Sequence, residues 1–422
     1  MKLVAIALLL IAPAALLRAQ DSVVTLAGLA RCPGAVNGPG TNALFNEPAG
    51  LALDAQGNLY VADSANHAIR ILSTNGMVST FAGQLGTAGT LDGTGTNAQF
   101  DAPSGLAFDF HGNLLVADTG NATLRQISPA GAVTTIAGVA GTAGYADGPA
   151  GTALFGAPLG LAVAANGSIF VADGGNHIIR RLAAGVVSTF AGNPGVWGAA
   201  DGPGTNAEFN APCGLAFDAP GNLFVSDANN HTLRKITPGG LVTTFAGTAG
   251  VDGSADGGAA AATFCHPAEI VFDPAGNLLV ADSFNHLLRQ ITTNGLVRTV
   301  SGVAGVDGDA DGVNGQGRFF NPYGLAFDAS GALRVADTYN DLIREVLVPF
   351  KLTLLRNTVP SAVTLTWATV AGRQYQVQFT SNLAGSWTNL TGRMTATGFA
   401  LSQTDTPPPG QSQRHYRVLL WP

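Results

Sequence analysis

The chain is predicted to be all-β, a six-bladed propeller closed by its own N-terminal strand and followed by a small β-sandwich. Three observations carry that prediction. First, the phrase GNLYVADSANHAIRILSTNGMVSTFAG, residues 57–83, returns with few changes at 112–138, 167–192, 221–247 and 276–302, and a shortened copy spans 331–346. Second, the aspartate of each copy, Asp63, Asp118, Asp173, Asp227, Asp282 and Asp337, recurs every 54 or 55 residues. Units that small cannot bury their own apolar faces, so a period that strict means stacked blades or coils. Third, the strands read as nearly continuous apolar runs, as expected when both faces of a sheet are covered.

Each unit resolves into four strands. The inner strand, Gly50-Leu51-Ala52-Leu53 in the first copy, is followed by Asp54-Ala55-Gln56-Gly57, with Asp and Gly placed as in a type I turn. Then come LYVAD, the turn Ser64-Ala65-Asn66-His67, the strand AIRIL, a hairpin at Asn75-Gly76 and the outer strand MVSTFAG. An orphan copy of the outer strand, Val23 to Gly28, opens the chain, and the sixth unit stops after its third strand near Val348. One surplus strand at the start and one missing at the end close the ring and leave no free edge.

The phrase ADSxNHxIR, with Asn66-His67, Asn176-His177, Asn230-His231 and Asn285-His286, resembles the NHL repeat; blades two and six depart from it with Asn121-Ala122 and Asn340-Asp341. The resemblance covers residues 21–348 and implies a six-bladed propeller. It implies little about chemistry, because such propellers include adhesion and scaffold proteins, RNA binders and a few metal-dependent lyases.

Composition narrows the choice. Of 422 residues only 11% are charged, Gly contributes 56, and the net charge of −7 is spread without a basic run. A phosphate-tracking surface needs clustered Lys and Arg, so nucleic acid is not an expected partner. Residues 1–20 read as a signal peptide: Lys2, an apolar stretch from Leu3 to Leu17, and a small-residue cleavage site before Gln20. An uncleaved anchor is the alternative, at the short end of the spanning range. The mature chain is therefore expected to be secreted or periplasmic, monomeric and without a membrane span. Its three cysteines, Cys32, Cys213 and Cys265, make no disulfide framework.

Loops of about twenty residues join consecutive blades, long for a compact fold, and they share one propeller face with the Asn-His turns. Ordered loops gathered on one face are where function is sought first. The candidate binding residues there are Asn66, His67, His177, His231 and His286 from the turns and Asp92, Asp147 and Asp201 from the loops. The recurring Phe45, Phe100, Phe155, Phe209, Phe264 and Phe319 are read as packing between blades. Each repeat aspartate precedes an arginine by seven residues: Asp63 and Arg70, Asp118 and Arg125, Asp173 and Arg180, Asp227 and Arg234, Asp282 and Arg289, Asp337 and Arg344. A four-residue turn puts Arg70 opposite Val61 and diagonal to Asp63, so these six pairs are read as blade staples.

Three departures from the repeat remain. The entry to blade six, Asp307-Gly308-Asp309-Ala310-Asp311-Gly312, fits the start of a calcium loop, with Asp307, Asp309 and Asp311 as ligands, although Arg318 stands where that motif wants Glu. At the start of blade five, Glu269 replaces a glycine, and Cys265, His266 and Cys213 are near it in the repeat; a transition-metal set, a Cys213–Cys265 disulfide and unrelated substitutions all fit. Residues 349–422 carry short alternating runs that resemble the fibronectin type III-like modules of secreted bacterial proteins. With inner strands reading GLAL, GLAF, GLAV, GLAF, EIVF and GLAF, no nucleophile, base and orienter come together. The expected function is non-catalytic recognition of a protein or glycan through the loop-rich face. The alternative is a metal-dependent lactonase- or lyase-like enzyme on the same propeller.

Overall fold

The computed structural model describes residues 22–313, 315–328 and 331–347, and beyond them the segments 353–356, 363–368, 374–380, 386, 388–395, 400–406 and 415–421. The expected leader, residues 1–20, lies outside the described residues. Among the described residues no helix is long and apolar enough to cross a membrane.

Six antiparallel sheets make the propeller. In blade one the inner strand Pro48–Leu53 pairs with Leu59–Asp63, then Ala68–Leu72, then the outer Met77–Ala82. Asp54 makes the first turn by accepting the N–H groups of Gln56 and Asn58 on its carboxylate, while Gly57, at φ +86°, closes it onto the Asp54 carbonyl. The next turn is a single 3-10 turn, Ser64–Asn66, ended by His67 at φ 55°. A residue in that left-handed conformation reverses the chain in the fewest steps, so Val61 pairs with Arg70 and Asp63 with Ala68.

Each sheet holds five strands rather than the expected four. The extra strand is two residues long, Gly38–Pro39 in blade one, and pairs with Met77 and Val78 at the outer edge. It comes from the long entry loop, whose backbone folds back on the blade it introduces. Two residues carry no hydrophobic alternation, so sequence patterning does not reveal such a strand.

The ring closes as expected. Ser22–Ala27 pairs with Leu342–Leu347, and Gly312–Val313 adds outside it, so the first strand of the chain completes the last blade. The Thr338 hydroxyl donates to the Pro48 carbonyl at 2.8 Å across the junction between blades six and one. Apolar residues of neighbouring blades fill the spaces between sheets: Ala27, Phe45, Val61, Ala336 and Ile343 share one cluster. At the axis the inner strands come so close that a Cβ on Gly50 would strike the Ser104 carbonyl, and one on Gly105 that of Leu159. Glycine is needed there because a neighbouring backbone occupies the side chain's place; Glu269 is the exception.

Past residue 347, Thr353–Arg356, Val363–Ala368 and Ala400–Asp405 form a three-stranded sheet. Gln374–Thr380 pairs with His415–Trp421, Thr388–Asn389 and Met394–Thr395 in another.

Candidate functional site

Two polar arrangements compete for attention, one under the loop-rich face and one on it. Under it lie the six staples. Arg70 is fully buried and donates to Asp63 at 2.6 Å, to the carbonyls of Leu44 and Val36, and to the side-chain oxygen of Asn37 at 2.7 Å. The guanidinium lies over the Phe45 ring, 5.2 Å from its centre. Asp63 in turn accepts the Asn46 N–H and the Asn66 amide, and that amide also reaches the Gly34 carbonyl. Every blade repeats the set, with Arg–Asp distances of 2.6–3.1 Å. The staple therefore ties the long entry loop to the strand turn. Asn66 belongs to it and is buried, so it is not a free surface group.

The same geometry gives the loop aspartates partners. Asp92, Asp147 and Asp201 each receive the second terminal nitrogen of Arg125, Arg180 and Arg234 at 2.7 Å, and each also accepts a threonine N–H from the outer strand. They are the outer half of the staple, 33 residues before its arginine, where blade one has Asn37. For Asp92 and Asp201 those donors outweigh partial burial and hold the carboxyl below its ordinary value.

Asp311 occupies that same staple position, accepting from Arg344 at 2.8 Å and from the Thr25 hydroxyl. Asp307 pairs with Arg31 at 2.7 Å. Of the three carboxylates expected to hold calcium, Asp307, Asp309 and Asp311, two thus point to separate arginines. Among the described residues these three form no convergent ligand group.

The histidines bridge blades. Nδ1 of His67 accepts the N–H of Ala102 at 3.1 Å; His177, His231 and His286 do the same for Ala211, His266 and Asn321. Asp341 takes the role in blade six by accepting the Glu47 N–H, while Ala122 of blade two has no such atom, and the Ala157 N–H turns to Asp173 instead. Each acceptor faces a residue held at positive φ, between 48° and 52° for Glu47, Ala211, His266 and Asn321. Burial holds His177 and His286 below the usual imidazole range, which favours the neutral ring that can accept.

Aliphatic side chains project into the central channel. Leu51, Leu106, Leu161, Leu215, Ile270 and Leu325, one from each blade, line a cavity of about 390 Å³ together with Glu269. Burial pushes the Glu269 carboxyl up to about 8, although the N–H groups of Ile270 and Leu215 oppose it. Cys213 sits one step along, against the Ser226 hydroxyl and the Pro267 carbonyl, and burial pushes its thiol up to about 12. Among the described residues, Cys32, Cys213 and Cys265 are free thiols.

Above the staples the blades differ. The second turn residue is Ala65, Gly120, Gly175 and Asn229 in blades one to four but Phe284 and Tyr339 in blades five and six. Both rings are about half exposed, at 51% and 46%. Phe284 stacks on His266 with ring centres 4.2 Å apart; Tyr339 meets Phe320 edge-on at 5.2 Å, and Phe320 carries His286 on one side and the Arg31 guanidinium on another. Sequence reasoning missed this aromatic ledge. Its signal was the change from small to aromatic at one repeat position.

Residues 45–72 match the NHL repeat. An NHL repeat thus sits on a six-bladed frame. The chain is 31% identical over 271 residues to the Arabidopsis thaliana protein SUPPRESSOR OF QUENCHING 1, chloroplastic, covering 60% of this chain and 26% of that one. It is 29% identical over 339 residues to NHL repeat-containing protein 2 of Gallus gallus, covering 70% and 46% respectively. The chain thus spans less than half the length of these curated relatives. Among solved structures, an auxiliary nutrient binding protein from Bacteroides thetaiotaomicron matches with a TM-score of 0.60 at 15% identity, over 79% of this chain and 77% of that one; such a likeness supports the fold alone.

Proposed function

We propose that this chain is a secreted or periplasmic, non-catalytic recognition protein that binds a protein or glycan partner through the loop-rich face. The observation that carries the reading is the ledge of Phe284, Phe320 and Tyr339 on blades five and six. The half-exposed rings of Phe284 and Tyr339, packed against His266 and Phe320, offer apolar area at little entropic cost, and a hydrogen-bonding pair, Arg31 with Asp307, stands beside Phe320. Sugar rings present apolar C–H faces edged with hydroxyls, so a glycan fits this pairing best.

The rest of the assignment follows the sequence: a leader at 1–20, a propeller over 21–348 and a fibronectin type III-like module over 349–422 that spaces or attaches it, acting as a monomer. The lactonase- or lyase-like alternative is not favoured. Such chemistry gathers several polar ligands around an ion, and here Glu269 is the one polar side chain among the described residues that line the channel.

A glycan array followed by calorimetry tests the reading. Expected is saccharide binding that falls at least about tenfold in Phe284→Ala and Tyr339→Ala. Lactone turnover abolished by Glu269→Ala overturns it, as does partner binding untouched by both aromatic substitutions.

A further inference from the structure

Where blade four meets blade five, the rim holds a group unlike any at the other junctions. Among the described residues, His231, Cys265 and His266 alone make a set of three metal-ligating side chains with donor atoms all within 4.8 Å of one another. The two entry-loop positions are Asn46-Glu47, Asp101-Ala102, Gly156-Ala157, Asn210-Ala211 and Phe320-Asn321 in the other blades; only blade five offers a thiol followed by an imidazole, and it does so opposite the histidine of blade four. Glu269 faces the channel instead, Cys213 is buried against the Ser226 hydroxyl and the Pro267 carbonyl, and neither joins the set.

The three donors are held in place. The Cys265 N–H donates to the Asp282 carboxylate at 2.7 Å, which anchors the loop to the blade-five staple. His266 has φ 48°, and its ring is clamped between Phe284, stacked at 4.2 Å, and the edge of His231 at 4.7 Å. The Cys265 sulfur is 3.8 Å from Nδ1 of His266. Bonds of about 2.0–2.3 Å in a tetrahedral zinc site place neighbouring ligand atoms about 3.5 Å apart, so this pair needs only a small side-chain adjustment.

We propose that His231, Cys265 and His266 bind a borderline-soft divalent ion, with Zn²⁺ as the reference, its fourth position taken by water or by Asp252, whose backbone bridges to Phe264 beside Cys265. One thiolate with two neutral imidazoles suits zinc and its late first-row neighbours rather than calcium or magnesium, which want oxygen. On binding, the Cys265 thiol loses its proton to solvent as the metal–sulfur bond forms. As the ion binds Nδ1 of His231, the hydrogen bond that this atom now accepts from the His266 N–H at 3.2 Å breaks, and the metal–nitrogen bond replaces it as the link between the blades. The ion pins two adjacent blades together at the foot of the Phe284 ring. The proposal goes beyond the recognition reading and does not depend on it, since a metal is measured here without a partner.

Untagged full-length protein, stripped with chelator, is titrated with Co²⁺ and Zn²⁺ by absorption and calorimetry. Expected are one ion per chain and a sulfur-to-cobalt charge-transfer band. Cys265→Ser should abolish the band and weaken Zn²⁺ binding at least about tenfold, and Cys32→Ser should change neither. His266→Asn, which copies the residue that blade six tolerates at this place, should weaken binding similarly while the chain stays folded. No band, a band that survives Cys265→Ser, or affinity indifferent to both substitutions overturns the site.

Discussion

The staple layer and the rim above it are built from the same six turns, yet one is uniform and the other is not. Beneath the face, six arginines are fully buried, each with the same aspartate, asparagine and phenylalanine around it. On the face, one or two residues away, the side chains diverge into alanine, glycine, asparagine, phenylalanine and tyrosine. Repetition marks what every blade needs in order to stand; departure from it marks what only one or two blades do. Substitutions in the two layers should therefore fall on different properties.

The largest effect belongs to the staple. Arg125→Met leaves the Asp118 carboxylate buried without its cation, and denaturant unfolding should show a loss of about 3–5 kcal/mol. Replacing Asp118 as well, with Leu, should recover part of that loss, because it removes the orphaned charge. If Arg125→Met proves silent, the uniform layer is not what holds the blades.

The channel should give a smaller, pH-dependent effect. The folded chain keeps a proton on Glu269 up to about 8, whereas an unfolded glutamate releases its own above 4.5. Raising the pH between those values therefore removes stability; the whole difference corresponds to about 5 kcal/mol, which the partial exposure of the side chain to the channel reduces to the order of 1–3 kcal/mol, and above about 8 this group takes away nothing more. Glu269→Gln should flatten that part of the curve of Tm against pH; an unchanged slope would show that the carboxyl is already ionised in the channel.

At the rim the expected changes in stability shrink further. His67→Ala removes the acceptor of the Ala102 N–H, and blade two already lives with an alanine there, so about 1 kcal/mol should be lost. Phe284→Ala and Tyr339→Ala should shift stability by no more than about 0.5 kcal/mol while reducing partner binding, the outcome that most sharply separates the two layers.

Much of the frame was legible because it obeys short-range rules. A turn of four residues dictates that Val61 faces Arg70, so a seven-residue spacing was enough to place Asp63 beside the guanidinium. The second aspartate was not legible: Asp92 stands 33 residues before Arg125, and only the fold of the entry loop brings them together. For the same reason its DG phrase read as an exposed binding loop, and the richer version at Asp307 to Gly312 as a calcium site. His231 and Cys265 are likewise 34 residues apart, and no periodicity joins a turn in one blade to the loop entering the next.

The strand Ser22–Ala27 has a temporal implication. It is made some three hundred residues before its partner Leu342–Leu347, so over that stretch of synthesis the growing chain carries a sticky ribbon with nowhere to dock. Whatever shields that ribbon in the interval, the ring closes only once the Leu342–Leu347 strand has been made and can pair with it.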